Sequence, residues 1–191
     1  MDTTSIIASL GVASAVIGLA FQDTLKDVIS GVTIILENYF IVGDYIQYNN
    51  FIGEVISFGF KSTKVKNFNN EILTISNRNI TEIINLSQSK ASVIISIPVA
   101  YEEDIEKVER VLDKIVKEIE KDKDVQASSC EYLGVSELGD SSVNYLIKFI
   151  AGHDKQWKTK RSALRIIKLM FDKEGIKIPY NQIEVHNGKN I

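Results

Sequence analysis

The run Ile6–Phe21, IIASLGVASAVIGLAF, contains no charge and only apolar or small residues. At 1.5 Å of rise per residue, a helix over these sixteen positions is about 24 Å long, slightly short of the roughly 30 Å hydrocarbon core of a bilayer. It is just long enough to cross. Within it Ala8, Gly11, Ser14, Ala15 and Gly18 recur at spacings of three and four, so one helical face is nearly flat and admits close approach of neighbouring backbones. Such a face calls for a packing partner, which a lone membrane anchor lacks. Two other readings stay open. A buried helix of a soluble core is one; a secretory signal is the other, weakened by a start of Met-Asp-Thr-Thr-Ser without Lys or Arg.

Gln22-Asp23 ends the apolar run, and beyond it Leu25, Val28, Ile29, Val32, Ile35 and Leu36 keep helical spacing, with Asp23 placed to cap a new helix. The pattern predicts two helices with a polar break between them. Gly31 lies inside the second, where it costs up to about 1 kcal/mol relative to alanine and marks a point of bending or close packing. From Tyr39 the period changes. Phe40–Val42, Tyr45–Tyr48, Gly53–Ser57, Lys61–Asn67 and Glu71–Ser76 read as five short strands, with turns at Val42–Asp44, Asn49–Asn50 and Asn69–Asn70. Without a helix between them, they predict a small β-barrel or sandwich domain.

The remainder alternates differently: a strand at Ser92–Val99, an amphipathic helix at Glu103–Lys121, strands around Val125–Leu133 and Val143–Ile150, a helix at Gln156–Lys173 stopped by Gly175, and a closing strand at Ile176–Ile178. The order βαββαβ is the ferredoxin-like arrangement. Gln182–Val185 then alternates again with no partner left in its own domain, which suits pairing between chains. The boundaries expected are 1–38 for the kinked apolar helix, 39–90 for the β domain, 91–179 for the α/β domain and 180–191 for the terminal strand and tail.

With 191 residues, 45% of them hydrophobic, and a formal net charge of −3, the chain has ample core and no broad basic surface for nucleic acid. Lys155, Lys158, Lys160 and Arg161 read as the solvated face of one helix. The single cysteine, Cys130, cannot form an intramolecular disulfide and suits a reducing compartment. His153 and His186 have no ligand spacing, so no metal is expected. No glycine-rich phosphate loop and no nucleophile with a partner base is present, which argues against an enzyme and against a cofactor. Glu102-Glu103-Asp104 is better explained as the acidic first turn of a helix than as paired catalytic carboxylates.

Several short motifs, in this order, resemble the small-conductance mechanosensitive channel (MscS) family: Gly18-Leu19-Ala20-Phe21-Gln22 with Gly31 downstream, Phe40-Ile41-Val42-Gly43-Asp44-Tyr45-Ile46, Gly53-Glu54-Val55, Ile75-Ser76-Asn77, Ile84-Asn85-Leu86-Ser87 and Ile178-Pro179-Tyr180. The resemblance implies a homo-oligomer, a heptamer, in the cell (inner) membrane and in contact with its lipids, with residues after about 38 in the cytoplasm. It further implies a channel that opens on membrane tension to release ions and small solutes during hypo-osmotic shock. It implies a pore helix packed on its copies through Ala8, Gly11, Ser14 and Gly18, and an apolar constriction at Leu19 and, one turn earlier, Ala15. Alanine there departs from the family's usual leucine. Gln22 and Gly31 match the family's hinges, while Asp23 replaces a glycine and would place a ring of carboxylates near the inner mouth. Gln182–Val185 matches a strand given to an intersubunit barrel. The family also carries at least two transmembrane helices before the pore helix, so this sequence reads as a fragment lacking them or as a minimal member.

A second reading is a soluble oligomeric RNA-binding protein with Sm-like and ferredoxin-like domains. It requires sheet aromatics beside basic residues, and Tyr145-Leu146-Ile147-Lys148-Phe149 is the strand that could supply them.

Overall fold

The computed structural model describes residues 3–181, so Gln182–Val185 lies outside the described residues, as do the side chains of residues 4–6 and Ala8. The chain divides into two compact units between Gln88 and Ser89.

The first unit opens with α1 (Thr3–Leu36), one helix hydrogen-bonded through Gln22 and Asp23. The expected division into two helices is therefore corrected. Neither residue is a helix breaker, and Asp23, instead of capping, turns its carboxylate to Arg78 at 2.9 Å. Among the described residues no helix is long and apolar enough to cross a membrane.

A five-stranded antiparallel sheet follows: β1 (Tyr45–Tyr48), β2 (Phe51–Phe58), β3 (Ser62–Lys66), β4 (Ile72–Ser76) and β5 (Ile84–Asn85), in the order β4-β3-β2-β1-β5. The number five is as expected, but one member differs. Phe40–Val42 is not a strand; Phe40 is buried while the chain turns at Gly43. The fifth strand is instead the two-residue β5, paired with Ile46 and Gln47. It is held by side chains: Asn85 Nδ2 donates to the Tyr39 carbonyl and to Asp44 Oδ2, both at 2.9 Å, and the Ser87 hydroxyl accepts from the Tyr45 N–H at 2.9 Å. These contacts tie the Phe40–Ile46 segment to Ile84–Ser87. Ile34, Phe40, Ile46, Val55, Val65, Ile75 and Ile80 form the core of the unit.

The second unit has β6 (Ser92–Val99), α2 (Ile105–Ile119), β7 (Glu131–Leu138), β8 (Val143–Ile150) and α3 (Gln156–Glu174), with the sheet order β6-β8-β7. Strict alternation along β6 and β8 sends Val93, Ile95, Ile97, Val99, Val143, Tyr145, Ile147 and Phe149 to one face. Both helices cover that face, with Val108, Leu112, Ile115 and Ile119 from α2 and Ala163, Ile167 and Phe171 from α3. Asp104 caps α2 by accepting the Lys107 N–H, and Gly175, at φ 66°, ends α3 in the left-handed conformation that costs glycine little.

Two strand expectations are corrected here. The second strand of this unit, β7, begins at Glu131, not near Val125, because Ser128 turns at φ 56° and Val125 makes only an isolated bridge to Ala151. Ile176–Ile178 is not a strand among the described residues. The Lys177 carbonyl accepts the Ala100 N–H at 3.1 Å, but the Lys177 N–H turns to the Glu103 carboxylate and no ladder forms. Among the described residues the sheet has three strands, where a ferredoxin-like domain has four.

Candidate functional site: an apolar helix and its polar anchor

α1 is used differently along its length. Positions 9–26 are exposed throughout, including Leu10, Val12, Val16, Ile17, Phe21 and Leu19, the last at 72%. An apolar side chain of this size left in water forgoes about 1.5–3 kcal/mol of transfer free energy, so a row of them identifies a surface built to be covered. The small-residue face is equally open: a Cβ added at Gly11 or Gly18 would meet nothing within 4 Å, and the Ser14 hydroxyl donates back to the Leu10 carbonyl of its own helix at 2.8 Å. Leu19, Ala15, Gly11, Ser14 and Gly18 thus share the free part of the helix, and Gln22 is exposed with them. Ala8 lies on the same helix, its side chain outside the described residues.

The second half is docked on its own β unit, but not through the apolar positions that announce the helix. Leu25, Ile29, Val32, Ile35 and Leu36 stay exposed, and the buried stripe is Asp27, Gly31 and Ile34. Asp27 is fully buried. Its Oδ1 accepts the Arg78 N–H at 3.1 Å, and its Oδ2 makes no hydrogen bond and lies 3.8 Å from the Arg78 guanidinium. The same guanidinium pairs with Asp23. A carboxylate removed from water is tolerable only when paired and hydrogen-bonded, so Arg78 is what permits Asp27 its place.

Arg78 belongs to a 3₁₀ turn, Asn77–Asn79, directly after β4. Asn77 is itself fully buried, its Nδ2 donating to the Gly59 and Phe60 carbonyls at 2.8 and 3.1 Å and its Oδ1 accepting from the Thr63 hydroxyl at 3.0 Å. Gly31 packs on this turn so closely that a Cβ would sit 2.8 Å from Asn77 Nδ2 and 3.2 Å from the Phe60 carbonyl oxygen. The structure brings Asp23 and Gly31, two of the expected hinge residues, onto the one turn, and leaves Gln22, Ala15 and Leu19 away from it. Asp27, Asn77 and Arg78 were missed. The available signal was Asp27 itself, a charge spaced four residues from both Asp23 and Gly31, with Asn77 in the quoted Ile75-Ser76-Asn77 motif. Asp23, expected near an inner mouth, stays largely exposed and shares the Arg78 guanidinium with Asp27.

Burial, assisted by Glu120 and Glu131, pushes the Cys130 thiol up to about 12, which makes it an unreactive core residue. Tyr145 and Phe149, the aromatics of the middle strand, are 1% and 0% exposed, so they are not available to stack on bases. Among the described residues no group of His, Cys, Asp and Glu could hold a metal ion.

Two family models match. Residues 23–88 match the mechanosensitive ion channel β-domain, and residues 93–178 match the C-terminal region of the mechanosensitive ion channel MscS. A small-conductance mechanosensitive channel of Caldanaerobacter subterraneus subsp. tengcongensis is 31% identical over 97% of this chain and 66% of its own length. An MscS family protein of Synechocystis sp. is 34% identical over 97% of this chain and 63% of its own. The chain thus spans just under two thirds of these relatives. The crystal structure of Helicobacter pylori MscS in a closed state superposes with a TM-score of 0.83 at 26% identity, covering 100% of this chain and 76% of that one. Matched over both of its units, with relatives along nearly its whole length, the chain belongs to the MscS family of mechanosensitive channels.

Proposed function

We propose that the chain is the pore-lining helix and cytoplasmic part of a mechanosensitive channel subunit, which opens on membrane tension and releases ions and small solutes during hypo-osmotic shock. The observation that carries this reading is the exposed stretch 9–26 of α1, an apolar surface left uncovered among the described residues. In a homo-oligomer, taken here as a heptamer in the cell (inner) membrane, copies of the Ala8, Gly11, Ser14 and Gly18 face pack against one another. Leu19 then forms the constriction, with Ala15 one turn earlier. A ring of leucines closes such a pore because a narrow apolar passage dewets, and widening it readmits water and then ions. A helix lining water and packed on copies need not be apolar all round, which accommodates Asp23, Lys26 and Asp27. Residues after about 38 lie in the cytoplasm, Gln22 and Gly31 mark the bending points, and α2 and α3 on one sheet face keep the plan of a ferredoxin-like unit. Gln182–Val185 serves the subunit contact. The test is current recording from membrane patches carrying the protein under graded suction. Tension-gated currents are expected, and patches that stay silent up to rupture would remove the reading. Membrane fractionation separates it from the RNA-binding alternative, which predicts a soluble protein.

A further inference from the structure

Three observations meet at Arg78. The sequence places a polar break at Gln22–Asp23, yet the helix runs through it. Asp23 and Asp27 are four residues apart on one face of α1, where like charges repel and work against the helix. The attached part of α1 also begins at these residues: positions 9–26 are exposed, while Asp27, Gly31 and Ile34 are buried against the β unit. A single guanidinium reaches both carboxylates, Asp23 at 2.9 Å and Asp27 at 3.8 Å, from a turn that also gives Asp27 its backbone hydrogen bond.

We propose that Arg78 is a charge-held stay for α1. By gripping Asp23 and Asp27 together, it keeps the turn 23–27 helical and attached, and so holds continuous a segment whose own sequence favours a break. When the grip is lost, the two carboxylates repel, the attachment retreats toward Gly31, and the free half of α1 pivots on the unclamped turn. A helix fixed at one end bends at its last point of attachment, and Arg78 sets where that point lies.

The test is an intrachain distance, independent of any current. Spin labels at the exposed positions Ala13 and Ile35, in labelled chains diluted with unlabelled ones, span 22 residues and lie about 33 Å apart along a straight helix. Cys130 is buried and stays unlabelled. The parent and Arg78→Lys, which keeps the charge, should give this distance. Arg78→Gln should broaden the distribution and shift it to shorter values, by about 4 Å for a bend of roughly 60°. Arg78→Met, which removes the charge, keeps most of the apolar stem and leaves the two carboxylates facing each other, should do the same and decides the matter if Arg78→Gln fails to fold. Folded variants with the parent's distribution would overturn the proposal. A shortened distance in a protein that carries no current would uphold the stay and remove the channel reading instead.

Discussion

Gly31 reads in the sequence as a flexible point and stands in the structure as a contact. Its missing side chain lets α1 settle on Asn77 and the Phe60 carbonyl, a space that a methyl group would overfill. Alanine gains about 1 kcal/mol of helix propensity and loses about 1–3 kcal/mol to overpacking, so Gly31→Ala should lose about 1 kcal/mol in chemical denaturation. A gain would mark it as a hinge without a packing role. Tyr132 gives a pH test. Its hydroxyl donates to Glu109 at 3.0 Å, and burial followed by that carboxylate raises its pKa above the usual 10. The folded protein therefore keeps a proton that the unfolded chain loses, so this stability is complete below pH 10 and drains away as pH rises further. Tyr132→Phe should cost about 1 kcal/mol near neutrality and flatten the alkaline decline. Denaturation at about pH 8 and pH 11 measures both, and an unchanged slope would contradict the assignment.

At the level of elements, what was legible was whatever a long period writes into the chain. The stripe Val108, Leu112, Ile115 and Ile119 marks α2 in the sequence and is the face it buries. Leu112→Ala should therefore cost about 2–5 kcal/mol, read by fluorescence of Trp157, the single tryptophan, at the start of α3 in the same unit. A cost below 1 kcal/mol would mean that the site is not packed as described. Short pairings were not legible. β5 has two residues and owes its place to Asn85 and Ser87, so no alternation could disclose it. Phe40–Val42 imitates a strand because a buried Phe40 stands among apolar neighbours. Ile176–Ile178 has strand composition, but Glu103 takes the Lys177 N–H that a ladder would need. The break at Gln22–Asp23 was misread for a similar reason, since its polar groups answer to Arg78, a residue distant in sequence.

At the scale of the whole molecule, the account joins a free apolar helix to two folded units that match the β and C-terminal regions of one channel family. Several of the quoted motifs meet in the fold: Asp44 with Asn85, Tyr45 with Ser87, Gly31 with Asn77. The residues proposed to act, Leu19 and Ala15, are exposed among the described residues, and the role proposed for them lies between copies. Leu19 is the one large side chain at the proposed constriction, so shrinking it and giving it a hydroxyl should wet the closed pore. The decisive measurement is the resting current of Leu19→Ser beside the parent in patches without suction. The account predicts openings at rest in Leu19→Ser and none in the parent, whereas a variant as silent as the parent would contradict the claim that α1 closes the pore at Leu19.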